Sequence, residues 1–267
     1  MNTAILASHG TDNKAGAASI AELVRAVANA SAELEVLEAF VDVQTPDVPT
    51  VLGGVLESNS DATVAIAPLL LATGYHVRKV IADAASEALA EHSSAQISIV
   101  PALGPDARLV EVLVQRLGEV GYQHGDLVVL AVAGSSDARA QEDSRLVQLM
   151  LEEQLSHSVE LAFLSAAEPK LKDLVPKLKF QHPRKRVVVA TYLLADGYFA
   201  GVTKKSGAHL VSEPLLATDH PVPARLIEVV RDRVAGPTTG CLTAADFAAG
   251  KPWSCAAGCS SPCRSRP

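Results

Sequence analysis

Short apolar runs alternate with longer amphipathic segments along most of the chain. The apolar runs predict strands over residues 4–8, 35–41, 63–68, 97–101, 127–131, 159–164 and 186–190. Apolar positions at helical spacing between them predict helices over residues 17–30, 77–92, 108–120, 138–155 and 170–179. Strands separated by helices of this length are typical of βαβ crossovers. The pattern therefore predicts an α/β fold with mostly parallel sheets.

The chain also contains an internal repeat. Residues 6–11 resemble 130–135, residues 39–42 resemble 162–165, and residues 67–76 resemble 190–199, each about 123 residues further on. Three matched segments at a nearly constant spacing indicate duplication of one structural unit. We therefore expect two similar doubly wound halves, residues 1–120 and 121–235, that face a central cleft. Residues 236–267 lack an apolar pattern and predict a loop-like tail.

Composition and charge exclude several classes of protein. With 48% hydrophobic and 20% charged residues, the chain is not wholly disordered, and its net charge of −7 argues against nucleic acid or an anionic membrane as partner. No apolar run approaches the roughly 18 residues of a membrane span, and the start lacks the pattern of a secretory signal. All four cysteines lie at or after Cys241, so a body without disulfides predicts a cytoplasmic location.

Three residues of the first half are candidates for metal chemistry. His9, Asp42 and His76 each lie at or just beyond the end of a predicted strand, where open parallel sheets bind ligands. The second half replaces them with Ala133, Ser165 and Phe199. Two imidazoles and one carboxylate can bind a divalent first-row metal and leave positions open. The alternative is that the histidines form structural hydrogen bonds and that Asp42 belongs to a turn.

The segments around these residues resemble a known family, the class II, ATP-independent chelatases of the sirohydrochlorin cobaltochelatase and ferrochelatase group. The resemblance covers about Ala4 to Val234 and is closest in the first half. It rests on four segments: Ser8-His9-Gly10-Thr11; Phe40-Val41-Asp42 with Pro46; Pro68-Leu69-Leu70-Leu71-Ala72-Thr73-Gly74-Tyr75-His76-Val77-Arg78; and Pro101-Ala102-Leu103-Gly104-Pro105-Asp106 with Leu109.

The resemblance implies insertion of Fe2+ or Co2+, as substrate, into sirohydrochlorin, a modified tetrapyrrole of siroheme or cobalamin biosynthesis. It implies that His9 and His76 are the catalytic, metal-binding histidines. Asp42 falls where many members have Glu, and its side chain is one methylene shorter. No ATP is required, and the sequence contains no Gly-x-x-x-x-Gly-Lys-Ser/Thr phosphate loop. The residues leave the choice between iron and cobalt open.

Sirohydrochlorin is a polycarboxylate, so an acidic protein needs local cations to bind it. Arg78 and Lys79 follow His76, and Lys204 and Lys205 follow the corresponding turn of the second half. These side chains are candidate carboxylate ligands, with solvated surface residues as the alternative. The remaining candidates for substrate binding are Gly10, Thr11, Gly74 and Tyr75. Tyr75 and Tyr198 either cover the macrocycle or, as is more usual for aromatic residues, pack in the core.

The tail carries a cysteine pattern of its own. Cys255, Cys259 and Cys263 are separated by three residues each, with Cys241 upstream. Thiolates at this spacing can bind a metal or an iron–sulfur cluster, although the pattern matches neither the common zinc nor the usual ferredoxin motif. The alternatives are mobile thiols that pass or sense metal, and cysteines without a function.

Two classes of function compete for the same residues. The leading hypothesis is a chelatase that turns over, with the second half as the opposite wall of the cleft. The alternative is a non-catalytic carrier of metal or tetrapyrrole. A phosphate-handling enzyme built on His9-Gly10-Thr11 is less favoured, because no arginine directly precedes His9. Since two halves in one chain can close their own cleft, we expect a monomer.

Overall fold

The computed structural model describes residues 2–72, 75–235 and 242–243, with the side chains of 75–78 and 242–243 left out. Strands and helices alternate along the chain. The strands are β1 (Asn2–Ser8), β2 (Leu34–Phe40), β3 (Thr63–Pro68), β4 (Gln96–Ile99), β5 (Leu127–Val132), β6 (Val159–Phe163), β7 (Val187–Tyr192), β8 (Leu210–Val211) and β9 (Leu242–Thr243). The helices are α1 (Lys14–Asn29), α2 (Val48–Ser58), α3 (Tyr75–Glu91), α4 (Ala107–Glu119), α5 (Ala138–Leu155), α6 (Leu171–Gln181), α7 (Tyr198–Lys204) and α8 (Ala224–Ala235).

The strands form two sheets with the same internal order. The first sheet runs β2-β1-β3-β4-β9 and the second runs β6-β5-β7-β8. All pairs are parallel except β4 with β9, which pairs antiparallel at the edge. The predicted α/β fold of two similar, mostly parallel halves is therefore confirmed.

Helices cover both faces of each sheet, as alternation along the first strand shows. Ala4 and Leu6 belong to a core that includes α1 and α4, whereas Ile5 and Ala7 pack with residues of α2 and α3. Successive side chains of a strand point to opposite faces, so a strand buried on both sides reads as a continuous apolar run. This burial explains why the short apolar runs predicted the strands well.

The two halves share one hydrophobic core. The larger core cluster combines α1 and α4 of the first half with α5 and α8 of the second. Helix α4 packs against α5 and β7, and α8 packs against α1 and β3. The fully buried Arg116 of α4 donates a hydrogen bond of 3.0 Å to the carbonyl oxygen of Leu215. The last helix of each half therefore holds the other half in place.

The loops above the sheets repeat as well. In each half, two main-chain N–H groups that follow the second strand donate to carbonyl groups at the end of the first strand. The bonds are Val41 N to Ser8 O (2.8 Å) and Asp42 N to His9 O (3.2 Å), and Leu164 N to Val132 O (3.0 Å) and Ser165 N to Ala133 O (2.9 Å). The sequence repeat is thus a repeat of backbone geometry, on which the two halves carry different side chains.

Several elements differ from the sequence-based expectation. Helix α3 begins at Tyr75 rather than residue 77, so His76 lies in its first turn. Helix α2, which was not predicted, carries Pro49, Gly53 and Gly54, which are poor helix formers, and it is stabilised by burial of residues such as Leu52. The tail was expected to be loop-like, but Leu242–Thr243 forms strand β9 because the free edge of β4 offers unpaired main-chain groups.

Hydropathy along the helices bears on membrane insertion. Within the described residues, none of the helices combines the length and the apolar character that crossing a bilayer requires.

Candidate active site

A cavity of about 690 Å³ lies between the two halves, beside the carboxyl ends of β1, β3, β5 and β7. Its volume falls in the range of roughly 300–1,000 Å³ that is usual for small-molecule sites. The first half contributes Ser8, His9, Gly10, Thr11, Asp12, Asn13, Ile20, Val43, Gln44, Leu69, Leu70, Leu71 and Ala72. The second half contributes Val132, Ala133, Gly134, Ser135, Ala140, Asp143, Ser144, Tyr192, Leu193, Leu194, Ala195, Asp196, Gly197, Tyr198, Phe199 and Ala200.

His9 lies directly after β1 and lines this cavity with an exposed side chain. The turn that presents it depends on Gly10, whose φ of +88° is in the left-handed region. A Cβ atom at Gly10 would lie 2.9 Å from the carbonyl oxygen of Asp42. Glycine is therefore required both for the backbone conformation and for the close approach of the neighbouring loop. Gly10, predicted as a substrate-binding residue, therefore shapes the loop that presents His9 to the cavity.

The main-chain N–H group of Asp42 is hydrogen-bonded to the carbonyl group of His9, but Asp42 is not among the residues that line the cavity. Its side chain is exposed, and its Oδ1 atom accepts a hydrogen bond of 2.9 Å from the N–H group of Val43. The following residues, Val43 and Gln44, line the cavity instead. The carboxylate of Asp42 thus accepts a hydrogen bond within its own turn.

A hydrogen bond between Thr11 and Gln44 connects the loop after β1 to the loop after β2. The Oε1 atom of Gln44 accepts a hydrogen bond of 2.8 Å from the N–H group of Thr11. The hydroxyl of Thr11 accepts one of 3.1 Å from the N–H group of Asn13, which in turn caps α1. Both Thr11 and Gln44 line the cavity. Thr11 is therefore positioned at the site by contacts of its own loop.

The second candidate histidine lies mostly outside the described residues. Gly74 is not described, and of Tyr75, His76 and Arg78 only the backbone, in the first turn of α3, is described. Among the side chains that the structure does describe, a set without His76, no three His, Cys, Asp or Glu residues converge to hold a metal ion. The geometry of the predicted metal ligands as a set is therefore not described.

The predicted cationic side chains differ in their surroundings. Lys79 is exposed on α3, outside the cavity lining, and its Nζ atom lies 2.6 Å from Asp83. Lys204 lies 3.0 Å from Glu213 and 3.3 Å from Asp196, and these acids raise its pKa although burial opposes the shift. Lys205 is exposed. Two of the three described cations thus already have acidic partners.

Tyr198 lies at the mouth of the cavity rather than in the core. It is 82% exposed, it begins α7, and its ring packs edge-to-face on Phe199 with centroids 5.5 Å apart. The expectation that this tyrosine packs in the core was therefore wrong. Gly197, which directly precedes α7, and Tyr198 both line the cavity.

Asp143 is a cavity residue that the sequence analysis missed. It lies in α5 on the same face as the buried Ala140, Ser144 and Val147, and it is half-buried. Burial and the neighbouring Asp137 raise the pKa of Asp143 to about 6, with a further contribution from Glu142. An ionisable residue at an apolar position of an amphipathic helix is the signal that was available in the sequence.

Gly104 explains one of the four motif segments. A Cβ atom there would lie 2.3 Å from the carbonyl oxygen of Leu71 and 2.5 Å from the hydroxyl of Tyr192, so only glycine fits between the halves. The same segment is held by Arg233 of α8, which donates hydrogen bonds to the carbonyl groups of Ala102 and Leu103. This motif therefore packs against Leu71 and Tyr192, two residues that line the cavity.

The four tail cysteines, Cys241, Cys255, Cys259 and Cys263, lie outside the described residues. The geometry of their predicted metal or cluster site is therefore not described.

Two solved structures, one of them named as a sirohydrochlorin chelatase, resemble this fold along most of the chain. SirB from Bacillus subtilis with Fe3+ superposes with a TM-score of 0.76 at 21% identity, covering 95% of this chain and 100% of that one. SirB from Bacillus subtilis subspecies spizizenii in complex with cobalt gives a TM-score of 0.67 at 19% identity, with coverage of 90% and 98%. These likenesses establish the shared fold.

Sequence comparison points the same way. A curated protein named sirohydrochlorin ferrochelatase, from Priestia megaterium, is 27% identical over 209 residues, which is 77% of each chain. The CbiX family model matches residues 3–120 and 127–205 and so covers both halves of the repeat. The predicted family resemblance is confirmed: the chain belongs to the CbiX family.

Proposed function

We propose that this chain is an ATP-independent chelatase that inserts Fe2+ or Co2+ into sirohydrochlorin. The observation that carries the proposal is the cavity of about 690 Å³ in a CbiX-family fold, with His9 on its wall and a matching half opposite. The relative from Priestia megaterium, named for the iron reaction, supports the same substrate. The metal is a substrate of this reaction and leaves with the product.

His9 and His76 are the proposed metal ligands, with Asp42 as a weaker third. Strands β1 and β3 pair directly, so the residues that follow them begin from the same edge of the sheet. His9 follows β1, and His76 lies in the helical turn after β3. The loop carrying Asp42 is bonded to the backbone of His9. Neighbouring strand ends thus supply all three side chains, which supports their joint use.

This ligand set suits transfer better than storage. An incoming metal ion must lose water, and two pyrrole N–H protons must leave the macrocycle. An imidazole can bind the metal or accept a proton near neutral pH. A closed cage of four ligands would retain the ion, whereas two imidazoles and one carboxylate leave positions open for the ring nitrogens. The hydrogen bond that Asp42 accepts from Val43 and its position outside the cavity lining are consistent with this requirement.

Gly10, Thr11, Gly74, Tyr75, Arg78 and Lys79 form the proposed substrate-binding side of the first half. We place the boundary between the halves at 120/121, supported by the gap between the two matched segments of the family model. A cytoplasmic monomer is part of the same proposal. The shared core of α1, α4, α5 and α8 supports a cleft that is complete within one chain.

For the tail, we propose that Cys241, Cys255, Cys259 and Cys263 bind a metal or an iron–sulfur cluster. Comparing the metal content and the visible absorbance of the anaerobically purified chain with those of a variant carrying all four Cys→Ser changes tests this. Equal metal content in the two proteins would contradict it.

The chelatase function is tested by turnover. Metal-free sirohydrochlorin and Fe2+ or Co2+ in large excess are mixed with the full chain, and the metallated product is measured by absorbance. We expect many product molecules per chain. Product that stops at one equivalent per chain would favour the carrier alternative, and product formed no faster than without protein would contradict both.

A further inference from the structure

Asp143 is a carboxylate on the cavity wall of the half that lacks the metal-ligand candidates. It lies in the second turn of α5, whose face towards the cavity also carries Ala140 and Ser144. Among the described residues, its carboxylate makes no hydrogen bond or ion pair, whereas Ser144 bonds to the carbonyl group of Ala140 at 2.8 Å. A half-buried carboxylate without a partner lowers the stability of the folded chain, which is the kind of cost that functional sites carry.

The other acids of the cavity are differently placed. Asp196 accepts a hydrogen bond of 2.8 Å from the hydroxyl of Thr218 and lies 3.3 Å from Lys204. Asp12 is exposed at the start of α1. Of the three acidic residues that line the described cavity, Asp143 alone combines burial with a carboxylate that has no hydrogen-bond donor.

Two buried hydroxyl groups on the same cavity indicate a ligand with polar groups. Tyr192 and Ser8 are each 4% exposed and line the cavity, and neither hydroxyl has a hydrogen-bond partner within the described part of the chain. Tyr192 belongs to the second half and Ser8 to the first. An unpaired buried hydroxyl costs roughly 1–3 kcal/mol. A ligand that lies between the halves and carries N–H groups or carboxylates would satisfy them.

The charges around Asp143 make it a stronger base than an ordinary aspartate. Burial raises its pKa to about 6, Asp137 and Glu142 add to the shift, and Arg139 opposes it. Tyr192 of β7 faces Asp143. Burial, Asp106 and Asp143 itself raise the pKa of the Tyr192 hydroxyl, and Arg233 opposes the shift. At the amino end of α4, which packs against α5, the N-cap residue Asp106 is paired with Arg108 at 2.9 Å. His9 lies across the cavity.

We propose that Asp143 accepts a pyrrole N–H proton of the macrocycle during metal insertion. This inference rests on the proposed chelatase function. As the metal–nitrogen bonds form, two N–H bonds break and their electron pairs stay on nitrogen, so no oxidant or reductant is needed. One proton passes to a carboxylate oxygen of Asp143 and then to solvent at the mouth of the cleft, and the other passes directly to water in the cleft. The metal enters from the first half, and this proton leaves towards the second.

The differences between the two repeated halves suggest different roles in metal binding and proton removal. The second half carries Ala133, Ser165 and Phe199 at the positions of His9, Asp42 and His76, so the three candidate ligands of the incoming ion all lie in the first half. A planar ring between the halves presents one face to each. A carboxylate on the face away from the metal is not bound by the incoming cation, so it stays free to accept a proton. Asp143 is therefore a catalytic residue of the half that the metal does not touch.

Steady-state kinetics of three variants of the full chain test the proposal. Asp143→Asn removes the base, Asp143→Glu preserves it, and Glu153→Gln removes an exposed carboxylate of the same helix as a matched control. We expect Asp143→Asn to lower kcat by about 10²-fold with KM for sirohydrochlorin within about twofold. Asp143→Glu should stay within about tenfold of the wild type, and Glu153→Gln should equal it.

The pH profile provides a readout that a structural role would not move. An aspartate acts as a base only when ionised, so wild-type kcat/KM for sirohydrochlorin at saturating metal should rise through about pH 6, following the pKa of Asp143 in the free chain. This rise should be absent from Asp143→Asn and displaced in Asp143→Glu. Circular dichroism confirms folding, and if Asp143→Asn does not fold, an undisplaced rise in Asp143→Glu overturns the proposal.

The outcomes separate the two hypotheses. If the wild type gives no multiple turnovers, the proposed function fails and the role of Asp143 fails with it. If the wild type turns over and Asp143→Asn has the same kcat and the same pH profile, only the role of Asp143 is wrong. A higher KM with an unchanged kcat would also overturn it, because Asp143 would then bind substrate rather than accept a proton.

Discussion

Gly16 of α1 lies against the main chain of Asp196 in the other half of the molecule, so closely that a Cβ atom at Gly16 would be 2.0 Å from the carbonyl oxygen of Asp196. Real Cβ atoms do not approach a backbone oxygen to this distance. Asp196 belongs to the loop between β7 and α7, which lines the cavity. This contact therefore sets how near the two walls of the cleft lie at the amino end of α1.

We expect Gly16→Ala to lower both stability and turnover, because the added methyl group must push the two walls apart. Overpacking of this kind typically costs about 1–3 kcal/mol in the free energy of unfolding. Gly53→Ala is the matched control: Gly53 is also helical, and a Cβ atom there meets nothing within 4 Å. It should gain about 0.5–1 kcal/mol from helix propensity. Denaturant unfolding measures both, and equal values would contradict the contact.

His9→Ala should reduce metal insertion by about 10²-fold or more, because it removes one of the two proposed imidazole ligands. Its side chain is exposed, so the free energy of unfolding should change by less than about 0.5 kcal/mol. His182→Ala, at an exposed histidine that ends α6, is the control. Product absorbance under multiple turnover checks the rates. A wild-type rate in His9→Ala would refute the site.

Asp42→Asn should cost less activity than His9→Ala, about tenfold or below. Its carboxylate accepts a hydrogen bond from Val43 and lies outside the cavity lining, so any contact with the metal is indirect. The asparagine can accept the same hydrogen bond through its side-chain oxygen, which keeps the turn intact. Parallel kinetics of the two variants provide the comparison, and an equal loss would show that Asp42 is a direct ligand.

Asp143→Asn should be more stable than the wild type above pH 6 and similar to it near pH 4. Burial raises the pKa of Asp143 to about 6 in the folded chain, so folding favours the neutral carboxyl group. This contribution to the free energy of unfolding is fully present below the unfolded pKa and is lost as pH rises through 6. Because the group is partly solvent-exposed, we expect a difference of about 1 kcal/mol at pH 8, or about 3 °C in Tm.

Thermal unfolding of both proteins at pH 4, 6 and 8 measures this difference. Glu153→Gln, which removes an exposed carboxylate of the same helix, should show no such pH dependence. A wild type that is the more stable protein at pH 8 would mean that Asp143 has a favourable partner when ionised.

Local patterns in the sequence determined the fold class and the repeat. Buried strands such as β1 and β5 are continuous apolar runs, and the turns after them need glycine at Gly10 and Gly134, where φ is +88° and +91°. Both signals act over a few neighbouring residues, so they can be read without tertiary structure. The same applies to His9 at a strand end, which the structure places on the cavity wall.

Tertiary structure alone decided which polar groups of the cleft have partners. The charge of Lys204 is compensated by Asp196 and Glu213, and Asp143 owes its raised pKa to burial at the junction of the halves. A pKa or a steric limit depends on atoms that lie close in space, and those atoms come from segments far apart in the chain. The sequence therefore indicated which half carries the candidate metal ligands, and packing of the halves supplied the opposite wall and its candidate base.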